Sequence, residues 1–240
     1  MGTEVAPPNL AHPDRKTIRC LFNQISSKYD FLNSFLSLGL ESYWRHKAVR
    51  FALTGLERNI LDLGAGTGKS LAVFLKEHSF EQAIGCDFSE RMLEQARKRL
   101  GASVGLVVCD FHDLSFPEGT FDLVTGSFIL RSVQDMGRFL SEVKRVLKPG
   151  GKAVFLELTR PKNPLIFKFF YQPYLQFYVP CMGKLVSRHD HAYEFLSQSV
   201  QKFVEPIVLR KNFESAGFSN LVLKSLSLGI VTLIHGTRAG

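Results

Sequence analysis

Three alternating glycines follow an apolar run and an acid in the first third of the chain. The run reads Leu61-Asp62-Leu63-Gly64-Ala65-Gly66-Thr67-Gly68. Glycine lets a backbone turn sharply and approach a ligand at a point where any Cβ would collide with it. Residues 59–63 are predicted to form a buried strand, and residues 70–76 the first turns of a helix. A strand, a glycine loop and a helix in this order are typical of a nucleotide site.

The loop alone leaves three interpretations open. A dinucleotide loop has glycine at its first, third and sixth places, but Lys69 stands at the sixth place counted from Gly64. A phosphate-binding P-loop ends in Gly-Lys-Ser, which Gly68-Lys69-Ser70 supplies, but Leu63 stands where its first glycine belongs. The third interpretation is a glycine-rich turn that binds no ligand.

Side chains at later strand ends point instead to S-adenosylmethionine as the ligand. Asp87 ends a predicted strand over residues 83–87, about twenty residues past the loop, where a carboxylate can accept hydrogen bonds from both ribose hydroxyls. Its alternative role is to cap the next helix, but Ser89 is the better N-cap, which leaves Asp87 for the ligand. Asp110-Phe111 follows a third predicted strand, residues 104–109. There the Asp110 carboxylate would accept a hydrogen bond from the adenine amino group, and the Phe111 ring would cover the base. The alternative is that Asp110 is an ordinary acidic residue of a turn.

A fourth predicted strand, residues 121–127, brings Ser127 to the mouth of the same crevice, beside the methionine end of the ligand. Several strand ends in chain order thus meet at one crevice, as expected for a parallel sheet. No metal ligand is predicted. The predicted cofactor-binding residues are Gly64, Gly66, Thr67, Asp87, Asp110, Phe111 and Ser127.

The order of elements predicts an α/β, Rossmann-like fold. Its sheet is expected to have seven mostly parallel strands, helices on both faces and an antiparallel hairpin at one edge. Residues 1–14 are predicted to be a loose tail and residues 15–240 a single domain. Within that domain, residues 15–53 form a helical cap, and residues 160–200 form an insertion between strands five and six. Strand five is predicted over residues 153–158, and the closing pair over residues 219–225 and 229–235.

The insertion contains an aromatic segment, residues 164–183, whose rings go nearly all the way round a helix. Pro173 is expected to break this helix in two. Lys168, Gln172 and Gln176 interrupt the apolar surface, so the segment is not a transmembrane span. It is interpreted as an apolar lid that covers the ligand and accepts an isoprenoid tail at a membrane surface. An ordinary buried cap helix is the alternative.

Composition narrows the possible partners and the compartment. The 240 residues include 30 Lys and Arg against 22 Asp and Glu, and this +8 charge suggests an anionic surface such as RNA or a phospholipid membrane. No basic run interleaved with aromatics indicates an RNA module, so a nucleic-acid partner is not expected. The four cysteines show no metal or disulfide spacing and are interpreted as core residues of a protein in the reducing cytoplasm. The N-terminus shows no secretory signal.

Two further signatures lie outside the glycine loop. The residues of the first are Tyr29, Asp30, Asn33, Leu36, Ser37, Glu41 and Trp44. The second is residues 145–151, Arg-Val-Leu-Lys-Pro-Gly-Gly, followed by Glu157 and Thr159. Both resemble signatures of the ubiquinone/menaquinone biosynthesis C-methyltransferases, a family of class I S-adenosylmethionine-dependent methyltransferases, and the resemblance runs from Arg19 to Arg238. Two positions depart from the family, which has histidine in place of Glu41 and serine in place of Thr159.

The family's Phe-Gly-Leu-Arg-Asn-Val segment stands here as residues 128–133, Phe-Ile-Leu-Arg-Ser-Val. The resemblance implies that this segment lies over the reacting ring and that Arg131 is the catalytic residue that assists proton loss from the quinol. A guanidinium is cationic at any working pH and can hold the resulting oxyanion. An ion pair with Asp135 or Glu157 is the alternative role of Arg131.

The resemblance thus implies methylation of a ring carbon in a polyprenylated quinol, with S-adenosyl-L-methionine as cofactor. Demethylmenaquinol is the preferred acceptor, and the methoxy-benzoquinol intermediate of ubiquinone synthesis remains open. The alternatives are a methyltransferase of RNA or of another small molecule, and a non-catalytic cofactor-binding scaffold in quinone synthesis. The protein is expected in the cytoplasm, with peripheral contact to the inner face of the membrane as an option. The oligomeric state is not set by the sequence, and a homodimer is open.

Overall fold

A single seven-stranded sheet organises the chain. The computed structural model describes residues 29–161, 163–178 and 205–240, together with 19, 20, 22, 23 and 26. The strand order is β3-β2-β1-β4-β5-β7-β6, and only the pairings of β7 with β5 and with β6 are antiparallel. The strands are β1 (Asn59–Leu63), β2 (Gln82–Asp87), β3 (Gly105–Val108), β4 (Phe121–Ser127), β5 (Leu147–Leu158), β6 (Phe218–Leu226) and β7 (Val231–Arg238).

Helices connect the strands, and their ends follow the capping residues of the sequence. Ser89 accepts a hydrogen bond from the Met92 amide, and Asp135 accepts one from the Arg138 amide, so both act as N-caps. Ser89 therefore has the capping role that the sequence predicts. The helices are α1 (Tyr29–Leu36), α2 (Leu40–Ala52), α3 (Lys69–Glu77), α4 (Glu90–Leu100), α5 (Met136–Val146) and α6 (Pro206–Ser215).

The predicted Rossmann-like fold is confirmed, including the seven strands and the antiparallel edge hairpin. The main difference is that β5 begins at Leu147, earlier than the predicted start at residue 153. Leu147 pairs with Phe121 of β4, and the register shifts before the next pair, Leu123 with Lys152. The Pro-Gly-Gly turn therefore bulges within the strand instead of preceding it.

The aromatic insertion is helical over residues 164–178, which we call the lid segment. It begins as an α-helix, Pro164–Ile166, and widens to a π-helix over Phe167–Tyr171 and again over Tyr174–Tyr178. The predicted break at Pro173 is wrong, because the helix continues through it in a wider form. Proline has no N–H to donate, and its ring clashes with the carbonyl of the preceding helical turn. A wider turn tolerates both effects. The rest of the predicted insertion, residues 179–200, lies outside the described residues, as does the tail, residues 1–14.

The prediction that all four cysteines are unpaired core residues needs correction. Cys86 of β2 and Cys109, directly after β3, form a disulfide with their Cα atoms 5.9 Å apart. The two residues are 23 apart in sequence, but parallel neighbouring strands place them side by side in the core. Cys20 is exposed, so it is not a core residue.

Among the described helices, none combines the length and the apolar character that crossing a bilayer requires.

Candidate active site

The glycine loop between β1 and α3 holds backbone conformations that suit glycine. Gly64 and Gly66 have φ angles of 63° and 54°. A Cβ on Gly64 would collide with the side chain of Ile129, whereas a Cβ on Gly66 would meet nothing closer than the Gly64 carbonyl oxygen at 3.9 Å. The surface of the loop at Gly66 is therefore open to a ligand, and Ile129 covers the loop at Gly64.

A small cavity of about 40 Å³ lies over this loop at the carboxyl ends of the strands. Five of the predicted cofactor-binding residues line it, namely Gly64, Gly66, Asp87, Phe111 and Ser127. The structure thus brings these residues together, as expected from their strand-end positions. The other lining residues are Phe22, Tyr29, Phe88, Met92, Phe128, Ile129 and Ser132.

The other two predicted cofactor-binding residues, Thr67 and Asp110, lie outside the cavity lining. The Thr67 hydroxyl donates to Asp30 of α1 at 2.6 Å and accepts from Arg99 of α4 at 2.9 Å. The Asp110 carboxylate accepts a hydrogen bond from the backbone amide of His112 at 3.0 Å. Thr67 therefore ties the loop to two helices, and the ligand contacts of both residues stay predictions.

Two buried carboxylates lie next to the loop and are electrostatically unusual. Asp87 accepts from the amides of Gly66 and Ser89, both at 2.9 Å, and burial raises its pKa to about 6. Asp62 is 1 % exposed, and neither of its oxygens has a hydrogen-bond partner among the described residues. Burial raises the pKa of Asp62 to about 7, although the nearby Arg45 guanidinium lowers it. Such shifts and orphaned buried oxygens are typical of a site that completes itself with a cationic ligand.

A second, larger cavity of about 250 Å³ opens beside the first. Its walls come from α1, α2, the turn that contains Arg131, and the lid segment. Most of the lining is apolar or aromatic, which fits a planar organic ligand with an apolar tail. The lining residues are Tyr29, Asn33, Leu36, Ser37, Leu38, Leu40, Glu41, Trp44, Phe128, Arg131, Leu158, Tyr171, Tyr174 and Ile230.

Tyr29 and Phe128 line both cavities and therefore form their junction. Phe128 has a φ of 63°, an uncommon conformation for an aromatic residue. The guanidinium of Arg45 lies 5.3 Å from the Phe128 ring centre, and that of Arg131 lies 5.9 Å from it. Strained backbone at a boundary between two cavities is typical of a functional site.

Arg131 lines the larger cavity and also forms an ion pair. Its Nη1 donates to Oε1 of Glu157 at 2.6 Å, and both side chains are buried. Of the two partners weighed from the sequence, Glu157 is the one observed, while Asp135 caps α5. The pair fixes the guanidinium in the cavity wall, so both the ion-pair role and the catalytic role of Arg131 remain compatible with the geometry.

The helical cap is joined to the glycine loop by charged contacts. Lys69, directly after the loop, donates to the buried carboxylate of Glu41 at 2.5 Å, and the Ser34 hydroxyl donates to the same carboxylate at 2.8 Å. Asp30 pairs with Arg99 at 2.6 Å. Glu41, where the related family has histidine, thus pairs with the lysine at the sixth place of the loop. These contacts place Tyr29 over the loop.

Sequence reasoning missed three polar residues of this region. Asp62 had a signal, since an acid stands two residues before the first glycine of the loop, Gly64. Arg45, whose Nε is buried and unpartnered among the described residues, had no local signal. Neither did Tyr171, one of many aromatic residues in the lid segment.

The model of the ubiE/COQ5 methyltransferase family matches residues 11–238. The demethylmenaquinone methyltransferase of Clavibacter sepedonicus is 38 % identical over 223 residues, covering 92 % of this chain and 90 % of the relative. The demethylmenaquinone methyltransferase of Thermus thermophilus is 38 % identical, covering 91 % of this chain and 100 % of the relative. The ubiquinone/menaquinone biosynthesis C-methyltransferase UbiE of Desulfotalea psychrophila is 36 % identical, with coverages of 91 % and 89 %.

Solved structures share the fold at lower identity. A SAM-dependent methyltransferase of Thermotoga maritima superposes with a TM-score of 0.65 at 21 % identity, covering 92 % of this chain and 99 % of that one. Phosphoethanolamine N-methyltransferase 2 of Haemonchus contortus, in complex with S-adenosyl-L-methionine, gives a TM-score of 0.60 at 16 % identity, with coverages of 91 % and 60 %. The sheet therefore has the class I methyltransferase architecture.

Proposed function

Since the chain belongs to the ubiE/COQ5 methyltransferase family, we propose that it transfers a methyl group from S-adenosylmethionine to a ring carbon of a polyprenylated quinol. Demethylmenaquinol is the preferred acceptor, because relatives of this chain are named demethylmenaquinone methyltransferases. The observation that carries the proposal is the junction at Tyr29 and Phe128 between a cavity over the glycine loop and a larger apolar cavity.

The cofactor's contribution is an electrophilic methyl group on a sulfonium ion. We propose that Gly66 and Asp87 hold its ribose end and that Phe111 covers its base. We propose that Ser127 and Asp62 would hold its methionine end, where the amino group would supply a cationic partner for the Asp62 carboxylate. This assignment accounts for the orphaned oxygens of Asp62.

The acceptor carbon needs activation, because an aromatic carbon becomes a good nucleophile only when a neighbouring hydroxyl loses its proton. Arg131 lies in the wall of the apolar cavity, where its guanidinium can stabilise the phenolate. The pair with Glu157 keeps the guanidinium in place. Alignment of donor and acceptor in a dry cavity can contribute roughly 7 to 11 kcal/mol more.

The function is tested with a panel of acceptors. The full chain is incubated with labelled S-adenosylmethionine and short-tailed demethylated naphthoquinols, benzoquinols or an RNA transcript, and the products are identified by mass. We expect the label in the naphthoquinol. Transfer to RNA alone, or to none of the acceptors, would contradict the proposal.

Cofactor affinity is expected to increase as the pH rises from 6 to 8. The donor's amino group pairs with ionised Asp62, whose pKa of about 7 leaves a large protonated fraction below neutrality. The nearby Asp87, with a pKa of about 6, strengthens the dependence at the acid end. Below the folded-state pKa the affinity should fall by up to about tenfold per pH unit. Binding at pH 7 should also release about half a proton from Asp62, which is about half protonated at that pH. Calorimetry in two buffers of different ionisation enthalpy measures this release.

Asp62→Asn is the matched variant for this prediction, because it keeps the shape and removes the titrating charge. Its affinity should be lower and nearly independent of pH above 7. Without cofactor, the raised pKa values of Asp62 and Asp87 also affect folding stability. The folded protein keeps protons on these two carboxylates at pH values where the unfolded chain has released them, because both groups have an ordinary pKa of 3.8 when unfolded. Their stabilising contribution is therefore full at low pH and is lost as the pH rises to about 7. A wild-type affinity that is flat from pH 6 to 8 would exclude this role of Asp62.

We further propose that the apolar cavity opens towards a membrane surface. Leu38 and Leu40 line the cavity yet are 73 % and 43 % exposed, so they mark its mouth. Phe31 and Phe35 of α1 are also exposed, and their rings stack 6.2 Å apart. An apolar rim around a cavity that accepts a polyprenyl tail suits insertion into the interfacial region of a bilayer, and the +8 charge favours anionic lipids.

Binding to vesicles of phosphatidylglycerol and phosphatidylcholine is expected to weaken about tenfold when Phe31 and Phe35 are both replaced by serine. The double variant loses the free energy that the two rings gain when lipid buries them. The expected loss is limited to about tenfold because the rings are only partly inserted. Co-sedimentation measures the effect. Leu56→Ser is the control, because Leu56 is 84 % exposed in the loop that precedes β1. Equal losses in both variants would contradict a membrane role for the rim.

A further inference from the structure

Tyr171 lies in the wall of the apolar cavity, and its hydroxyl has no hydrogen-bond partner among the residues that the structure describes. Tyr171 belongs to the lid segment and is only 3 % exposed. Buried polar groups are nearly always hydrogen-bonded, and exceptions require an explanation. A bound ligand that supplies the missing partner would explain this one.

Other polar side chains of the same cavity are already engaged. Tyr174 donates its hydroxyl to the Leu36 carbonyl at 2.5 Å and so fastens the lid segment to α1. The Trp44 indole donates to Ser227 at 2.8 Å. Glu41 pairs with Lys69, and Arg131 pairs with Glu157. Tyr171 therefore differs from its neighbour Tyr174, three residues away, because its hydroxyl has no hydrogen-bond partner in the described part of the chain.

The electrostatic surroundings fix which hydrogen-bonding role Tyr171 can take. Burial raises the pKa of Tyr171, and Tyr174 and Glu157 raise it further, while Arg131 acts in the opposite direction. The hydroxyl consequently stays protonated at every physiological pH and cannot act as a base. It is a hydrogen-bond donor, close enough to Arg131 for the two groups to interact.

The proposed acceptor has a matching requirement. A quinol ring carries two oxygens on opposite sides, and only the one that loses its proton needs Arg131. The second oxygen leaves water when the ring enters an apolar cavity, and it loses its hydrogen bonds unless the wall replaces them. A donor in that wall would discriminate against rings that lack the second oxygen, because its own hydroxyl would then stay buried and unpaired.

We propose that the Tyr171 hydroxyl donates a hydrogen bond to the acceptor-ring oxygen that does not contact Arg131, and that it thereby selects dioxygenated rings over rings with one oxygen. The inference rests on the proposed function, since it concerns the acceptor of that reaction. Tyr171 acts as a specificity-determining residue, because the methyl transfer itself does not use its hydroxyl.

Calorimetry with two ring probes tests the proposal. The full chain, saturated with S-adenosylhomocysteine, is titrated without oxygen with 1,4-dihydroxynaphthalene and with 1-naphthol. The wild type should bind the diol more tightly. Tyr171→Phe should weaken binding of the diol about tenfold, which corresponds to one hydrogen bond, and leave binding of 1-naphthol within about twofold.

Tyr174→Phe is the matched control in the same segment. Its hydroxyl fastens the lid segment to Leu36, so its loss should weaken both probes alike and lower the melting temperature. Tyr171→Phe should not lower the melting temperature, because it removes a hydroxyl that has no partner among the described residues.

If the wild type binds the diol, three results would contradict the role of Tyr171 and leave the proposed function intact. They are an unchanged preference for the diol in Tyr171→Phe, an equal loss for both probes, and a melting temperature that falls as in Tyr174→Phe. If the wild type binds neither probe, the proposed function fails and the inference fails with it.

Discussion

Replacing Arg131 by alanine is expected to lower the turnover number at saturating quinol by about 100- to 1000-fold, while the affinity for S-adenosylmethionine stays nearly unchanged. Losing one positioned group that stabilises developing negative charge has an effect of this size in other enzymes. Arg131 lines the apolar cavity but not the cavity over the glycine loop. Steady-state kinetics measures the turnover number, and calorimetry measures the cofactor affinity.

The ion pair with Glu157 makes a control for folding necessary. Alanine at position 131 leaves Glu157, which is fully buried, without its partner, and an unpaired buried charge can destabilise a protein by roughly 3 to 5 kcal/mol. The double variant Arg131→Ala, Glu157→Gln removes both charges and should recover stability without recovering turnover. Equal losses of cofactor binding and turnover would identify Arg131 as a structural residue.

Asp87→Ala is expected to abolish cofactor binding that calorimetry can detect. A carboxylate at this position can accept two charge-assisted hydrogen bonds from the ribose, and losing both should weaken binding by at least about 100-fold. Asp87 also accepts from the amide of Gly66, so the variant loses a contact that shapes the loop.

Asp87→Asn removes the negative charge but keeps one acceptor oxygen, so it can retain one of the two backbone contacts, to Gly66 or to Ser89. We expect its melting temperature to lie between those of Asp87→Ala and the wild type, while most of the cofactor affinity is lost. Unchanged affinity in both variants would exclude the ribose assignment.

The sheet could be predicted from the sequence because its strands are buried and bounded by polar or glycine residues. Leu61 and Leu63 are completely buried, and the run that contains them ends at Gly64, so β1 is found at its predicted residues. The early start of β5 at Leu147 could not be predicted, because it depends on the pairing with Phe121, 26 residues earlier. The disulfide was missed for a similar reason, since the pairing of β2 with β3 places Cys86 near Cys109.

The candidate site could be predicted only where its residues stand at strand ends. Asp87 and Ser127 are the last residues of β2 and β4, and Phe111 follows β3. The carboxyl ends of these strands meet at one edge, and all three residues line the cavity over the loop. Thr67 was expected at the ligand, but Asp30 and Arg99 engage its hydroxyl from 37 and 32 residues away. Such contacts arise from how helices pack, which local spacing does not encode.

The acceptor side of the site was the least predictable part. The sequence indicated an aromatic lid segment, yet nothing in it distinguished Tyr171 from Tyr174. Only the packing against Leu36 gives one hydroxyl a partner and leaves the other without one among the described residues.

The position of the transferred methyl group shows whether the enzyme methylates a ring carbon of the quinol. The full chain is incubated with S-adenosylmethionine that carries a ¹³C methyl group and with a short-tailed demethylmenaquinol, and the product is examined by NMR and mass spectrometry. We expect one labelled methyl group, bonded to a ring carbon. A label on a ring oxygen, or cofactor binding without any transfer, would contradict it.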